Sequence, residues 1–247
     1  MKKAVKTGLA IIMLMVSSCM AQSQNRNPGN SPSFKDLRDG KTYRTVEIGT
    51  QIWMAQDLDY HGEDGYLGLC FGDKPRAKIS YPEHCKKYGR LYSYEEAETA
   101  CPEGWHLSTN REWQTLVNFA GGEEVAGKKL KAKSSWLGYD FARLGGMANR
   151  CRWTEEKIDN RGRSTVVEFD ECATDEFGFS ALPLGPGPHG DRYDIDGLEG
   201  YWWGASAIPS SRYMSHTHSK VEQKSHRDRN HKVRCVKDDQ SDSGDNP

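Results

Sequence analysis

The 247-residue chain lacks any run of the ~20 apolar residues that a membrane-spanning helix needs. It lacks a surplus of positive charge as well: 34 Lys and Arg stand against 35 Asp and Glu. Nucleic-acid binders show a basic face, so nucleic acid is not an expected partner. There is no Gly-x-Ser-x-Gly elbow, no phosphate loop and no zinc-protease helix. No Cys-x-x-Cys or His-x-x-x-His spacing supports a metal site. Acid pairs for glycoside cleavage escape such a search, because they lie far apart in sequence. These absences weigh against an enzyme without closing the question.

The N-terminus is rich in signal. Lys2, Lys3 and Lys6 precede the apolar stretch Leu9 to Val16, which is too short to span a bilayer, and Ser17-Ser18-Cys19 follow. This is the pattern of a bacterial lipoprotein signal, with cleavage before Cys19 and acyl chains on its thiol. Each buried methylene adds about 0.8 kcal/mol of membrane affinity. The expected address is the bacterial cell envelope, anchored by lipid to the outer membrane. Losing residues 1–18 removes three lysines and takes the formal charge from −1 to −4. Residues 19–33, poor in apolar side chains, read as a flexible tether, and the acidic residues 239–247 as a disordered tail. Between them, residues 34–238 suffice for one domain with a substantial core.

Seven cysteines become six once Cys19 is lipidated. An even set in an exported chain reads as a disulfide framework. Cys70 with Cys85 and Cys151 with Cys172 are plausible local pairs, which leaves Cys101 for Cys235. Spacing alone does not choose among the fifteen connectivities of six cysteines.

Two helices are predicted. Ser93 and Glu96 form a capping box for a helix to Ala100, and Thr109 and Glu112 form another. Trp113, Leu116, Val117 and Ala120 then recur at helical spacing until Gly121-Gly122. Thr42 to Ile48 and Gln51 to Met54 flank Gly49-Thr50 as a hairpin, with Trp53 in the core. Further strands are expected at residues 165–169, 178–182, 200–203, 213–217 and 233–236.

Three surfaces are candidates for ligand binding. Tyr201, Trp202 and Trp203 form the densest aromatic cluster, and exposed rings would stack on sugars; the competing reading is core. Strand alternation sends Trp202 and Trp203 to opposite faces. Asp194-x-Asp196-Gly197 is a fragment of a calcium loop, so Ca2+ is the one cofactor candidate. His216 and His218, on one strand, would share a face and could share a metal. His106 is expected to bond structurally, and Arg227 to Arg229 to form a solvated turn.

The string Asp39-Gly40-Lys41-x-Tyr43-x-Thr45-Val46-x-Ile48-Gly49-x-Gln51-x-Trp53-Met54-Ala55-x-x-Leu58 resembles the opening of the Fibrobacter succinogenes major paralogous domain. So do Tyr88 to Tyr92, Ala100-Cys101-Pro102-x-Gly104-Trp105-His106-Leu107, Phe177 to Pro183 and Val233 to Lys237. Members of that family are typically exported, often lipid-anchored, bacterial proteins. Within the match, Gly104 to Leu107, Glu112-Trp113 and a closing strand with Cys235 resemble the C-type lectin-like fold. The formylglycine-generating enzymes carry a similar signature. The resemblance implies an α+β, disulfide-stapled fold with two short helices, twisted antiparallel strands and long loops. It also implies the Cys101–Cys235 pair. The calcium-dependent sugar motifs of lectins and the cysteine couple of the formylglycine-generating enzymes are both missing. The expectation is a non-catalytic binding module for a polysaccharide or surface partner. The alternatives are a formylglycine-generating-like enzyme, a hydrolase with dispersed acids, or a self-associating coat protein.

Overall fold

A computed structural model describes residues 32–70, 82–134, 136, 152–158, 161, 163–170, 172–183, 199–225 and 229–239. β1 (Ser33–Lys35) pairs with β2 (Thr42–Ile48), whose alternation of Tyr43, Thr45 and other side chains is broken at Val46 so that both faces bury residues. Gly49, at φ 64°, turns the chain into β3 (Gln51–Met54), with Val46 opposite Trp53. That left-handed conformation is accessible to glycine without the penalty a Cβ brings.

Four helices occur among the described residues, two more than expected: α1 (Pro82–Tyr88), α2 (Tyr94–Ala100), α3 (Asn110–Phe119) and α4 (Glu123–Leu130). The capping boxes of α2 and α3 are both fully formed. The unforeseen α4 starts on Gly122 with no side-chain cap and carries Gly127 in its interior. Gly127 is there for contact: a Cβ would lie 2.7 Å from the Ser219 carbonyl oxygen. The final carbonyls of α4 accept the amides of Thr174, Glu176 and Ala181 from the loop 172–183, which supplies the partners a helix end needs.

The remaining strands are β4 (Leu91–Tyr92), β5 (Trp105–Leu107), β6 (Arg152–Ile158), β7 (Ser164–Asp170), β8 (Glu199–Gly204), β9 (Ser210–Ser215), β10 (Val221–Ser225), β11 (His231–Lys232) and β12 (Cys235–Lys237). One sheet runs β1-β2-β3-β12-β5, a second β10-β9-β8-β11-β4, and β6-β7 pair separately. The pairings are antiparallel except β11 on β8. The fold is α+β.

Three strand expectations need correction. Residues 178–182 form no strand beyond a bridge at Ala181, because Gly178 and Ser180 have positive φ. The strand expected at 213–217 is β9 and ends at Ser215, so His216 and His218 lie in the following turn. The strand expected at 233–236 forms only from Cys235, as β12 in the first sheet; Val233 and Arg234 are outside any strand and follow β11 of the second sheet. The chain passes between sheets at Val233-Arg234.

Two apolar clusters fill the interior. Trp53, Trp113, Phe179, Trp202 and Met214 belong to one, and Met54, Tyr92, Trp203, Val233 and Cys235 to the other. Cys70 bonds to Cys85 and Cys101 to Cys235, with Cα atoms 4.9 and 5.9 Å apart. Cys172 is also disulfide-bonded; its expected partner Cys151 lies outside the described residues, as does Cys19. No helix among the described residues is long and apolar enough to cross a membrane.

Cys101–Cys235 spans 134 residues, a closure worth about 3–5 kcal/mol through the unfolded chain. The double variant Cys101→Ser/Cys235→Ser is expected to lose that amount in urea unfolding. Unchanged unfolding would show that the bond constrains nothing the fold does not already fix.

Candidate functional site

The strongest candidate is a cavity of about 350 Å³ between β2, the chain after β3, the end of α1 and the loop 172–183. Its lining includes Arg44, Gln56, Asp57, Lys86, Lys87, Gly89, Lys133, Asp175, Ser180 and Leu182. Ligand cavities run from roughly 300 Å³ upward.

Its floor is a buried charge cluster. Trp202 Nε1 donates to Asp57 Oδ1 at 2.8 Å, and Arg234 Nε donates to the same oxygen at 2.8 Å. Oδ2 accepts no well-angled hydrogen bond; Lys232 Nζ faces it at 3.0 Å as a pure charge partner. Arg234 and Lys232 are wholly buried. Two cations thus share one carboxylate. Their remaining donors go to the loop: Lys232 Nζ to the Leu182 carbonyl at 2.5 Å, and Arg234 to the Phe179 carbonyl. The guanidinium also lies 4.2 Å from the centre of the Phe179 ring. Burial pushes the Asp57 pKa up, but Arg234 and Lys232 outweigh it and hold the group below the ordinary carboxylate value. Burial lowers Lys232 to about 8 against the pull of Asp57, so it keeps its proton at neutral pH.

Gly89 brings the mouth of the cavity over this floor. It follows α1 at φ 75°, and a Cβ there would sit 2.6 Å from Asp57 Cβ and 2.9 Å from the Leu58 carbonyl oxygen. Only without that atom can the end of α1 close on Asp57. Lys86 and Lys87 occupy the last turn of α1, where cations suit the helix dipole. Cys85 of the same helix is bonded to Cys70, which fixes the helix to the chain before it.

The opposite wall holds the two non-glycine residues with positive φ among those described, Asp175 at 44° and Ser180 at 53°. They hold each other: Asp175 accepts the Ser180 amide at 2.7 Å and its hydroxyl at 2.6 Å. Such conformations cost about 1–3 kcal/mol each and persist where surrounding structure dictates them. Here both face one cavity.

A second cavity, about 520 Å³, is lined by Arg111, Glu112, Lys237 and Asp239 among others. Its charges balance, and Glu112 is occupied. His106 lies between two carboxylates, with Nε2 2.7 Å from Glu112 and Nδ1 2.6 Å from Asp238. The bond to Glu112, then that to Asp238, raises His106 to about 9. Glu112 also caps α3. The imidazolium therefore joins the helix start to the chain leaving β12 and has no lone pair to act as a base.

The residues expected from sequence to bind ligand fall elsewhere. Trp202 and Trp203 are fully buried and Tyr201 is 7 % exposed, so the three offer no stacking platform. Asp194 and Asp196 lie outside the described residues, as do Arg227 and Asp228 of the expected solvated turn. His218 pairs with Glu222 at 3.4 Å, and no group of three potential ligands that could hold a metal occurs among the described residues. Sequence reasoning missed Asp57, Lys232 and Arg234, whose partners lie 145 to 177 positions apart in the chain and leave no local signal.

The model of the Fibrobacter succinogenes major domain matches residues 46–237. The chain belongs to that family. No curated protein and no solved structure matches it.

Asp57→Asn leaves two buried cations without their counter-charge and is expected to cost about 3–5 kcal/mol. The double variant Asp57→Asn/Lys232→Met should lose less in urea unfolding, since one uncompensated charge is gone. His106 should titrate by NMR near pH 9, and Glu112→Gln should return it toward 6.5. Because the folded value is raised, the stability it adds is full below pH 6.5 and is lost as pH climbs through 9.

Proposed function

We propose that this chain is a lipid-anchored protein of the bacterial cell envelope, held through Cys19, whose domain is a non-catalytic binding module for a polysaccharide or another surface component. The observation that carries the reading is the state of the acids in the cavity. Asp57 is bonded at one oxygen by Trp202 and Arg234 and held at the other by the Lys232 charge, and both oxygens of Asp175 are taken by Ser180. A general acid or base needs a proton it can exchange with substrate, and neither carboxylate is free to do so. Cys70, Cys85, Cys101, Cys172 and Cys235 are all disulfide-bonded, which leaves no thiol among the described residues for chemistry of the formylglycine-generating kind. The cavity instead offers fixed charge and an open mouth, which suits recognition.

The scaffold we infer is C-type lectin-like. The bond from Cys101, directly after α2, to Cys235 in the last strand supports it.

Two measurements test the proposal. Radiolabelled palmitate should enter the wild-type chain in bacterial cells and not Cys19→Ser; equal labelling of the variant would remove the anchor. On an array of plant and bacterial glycans the chain should retain at least one class of polysaccharide without releasing new reducing ends. Release of reducing ends would make it a hydrolase.

A further inference from the structure

The lining of the candidate cavity is unequal in charge. Arg44 on β2, Lys86 and Lys87 on α1, and Lys133 just beyond α4 all reach it, and all four are exposed. Among the described residues no carboxylate pairs with any of them. Lys87 has only the Tyr88 ring, 4.6 Å from its ammonium. The two acids of the lining are already spoken for, Asp57 by buried cations and Asp175 by Ser180. Behind the floor, Lys232 and Arg234 place a second positive charge against the single charge of Asp57. Among the described residues, six cationic side chains therefore surround two carboxylates, in a concave site where low-dielectric walls focus the field.

Surface lysines ordinarily spread apart or pair with acids. Four cations with no acid partner among the described residues, from three separate segments around one cavity and above a floor with surplus positive charge, is a different arrangement. Among the described residues the lining contains no aromatic side chain, so they offer no ring to stack on a neutral sugar. What these residues offer a ligand is charge and hydrogen bonds.

We propose that the cavity binds the carboxylate groups of an acidic polysaccharide, a polyuronate. The proposal rests on the reading of the domain as a binding module and names its ligand class. Three of the four outer cations are lysines, compact point charges on flexible stems that impose no bidentate geometry and can each meet a separate anionic group. Point charges set around a cavity match carboxylates repeated along a chain. The Ser180 oxygen, which can still accept, and the Gln56 amide nitrogen, which can donate, line the cavity from two sides and suit ring hydroxyls.

The test is affinity electrophoresis of the full chain in detergent, through gels containing polygalacturonate, hydroxyethylcellulose or poly-glutamate. Polygalacturonate should retard the protein, and added salt should weaken the effect. The variant Lys86→Gln/Lys87→Gln/Lys133→Gln should need about tenfold more polygalacturonate for the same retardation, as three exposed ion pairs of modest worth imply. Its melting temperature should stay at the wild-type value, and Arg44→Gln, on a separate strand, should shift retardation in the same direction. Equal retardation of the triple variant would overturn the proposal. So would poly-glutamate acting as strongly as polygalacturonate, which would make the site one for acidic polypeptides. Retardation by hydroxyethylcellulose alone would sink the acidic ligand while leaving the binding module standing. If no glycan gel or array retains the chain, the binding module itself fails.

Discussion

The carboxylate of Asp57 is the constraint on which the rest of the domain depends. It receives an indole N–H from β8 and two cations from the chain at β11 and just beyond, residues 145–177 positions away. A single buried negative charge cannot cancel two buried positive ones. The surplus is spread into backbone dipoles, with the carbonyls of Phe179 and Leu182 accepting from Arg234 and Lys232. Removing those carbonyls from the neighbourhood would leave a charge in low dielectric without compensation, a far larger penalty than any one hydrogen bond. The loop that carries them is thereby held in place by charge as well as by packing. The same surplus makes the adjoining cavity electropositive, so the interior and the candidate site share one electrostatic cause.

Arg234 sits where the chain leaves one sheet for the other. β11 pairs with β8 and β4, and β12 with β3 and β5. A strand that changes sheets interrupts its ladder, and the groups at the crossing need partners. The guanidinium, with donors fixed in several directions, satisfies Asp57 and the loop at this point. The adjacent Cys235 ties the departing strand to Cys101. The two tryptophans of β8 show the same division of the interior: alternation sends Trp202 to one apolar cluster and Trp203 to the other. A strand covered on both faces carries large apolar residues in succession, so a run of aromatics there marks depth and not an exposed platform.

Local chemistry was legible in the sequence wherever it was complete within a few residues. The boxes Ser93–Glu96 and Thr109–Glu112 each satisfy helix-start amides from inside their own segment, and Gly49 turns a hairpin between two apolar runs. α4 was hidden because Gly121-Gly122 reads as the stop of α3 and Gly127 is a poor helix residue by propensity. Gly127 is explained only by its approach to Ser219, which is 92 positions away in the chain. The floor of the cavity was hidden for a related reason. His231-Lys232-Val233-Arg234 has the pattern of a solvated edge, and only the tertiary structure supplies the carboxylate and carbonyls that let Lys232 and Arg234 be buried. Charge burial is a property of partners, and partners distant in sequence leave no local trace.

The wall opposite α1 carries the same logic one step further. Asp175 and Ser180 adopt a backbone conformation that glycine would enter without strain. Glycine at either place would delete one half of the Asp175–Ser180 clasp, whose two short bonds close the intervening turn. The conformational cost is therefore offset by a contact that only these side chains make. It is supported again by the α4 carbonyls that accept Thr174 and Glu176 just before Asp175 and on its other side. A loop fixed at both ends in this way loses little further freedom when a ligand enters. Preorganisation of this kind raises affinity without adding contacts, which is what a small cavity relying on exposed, screened charges requires.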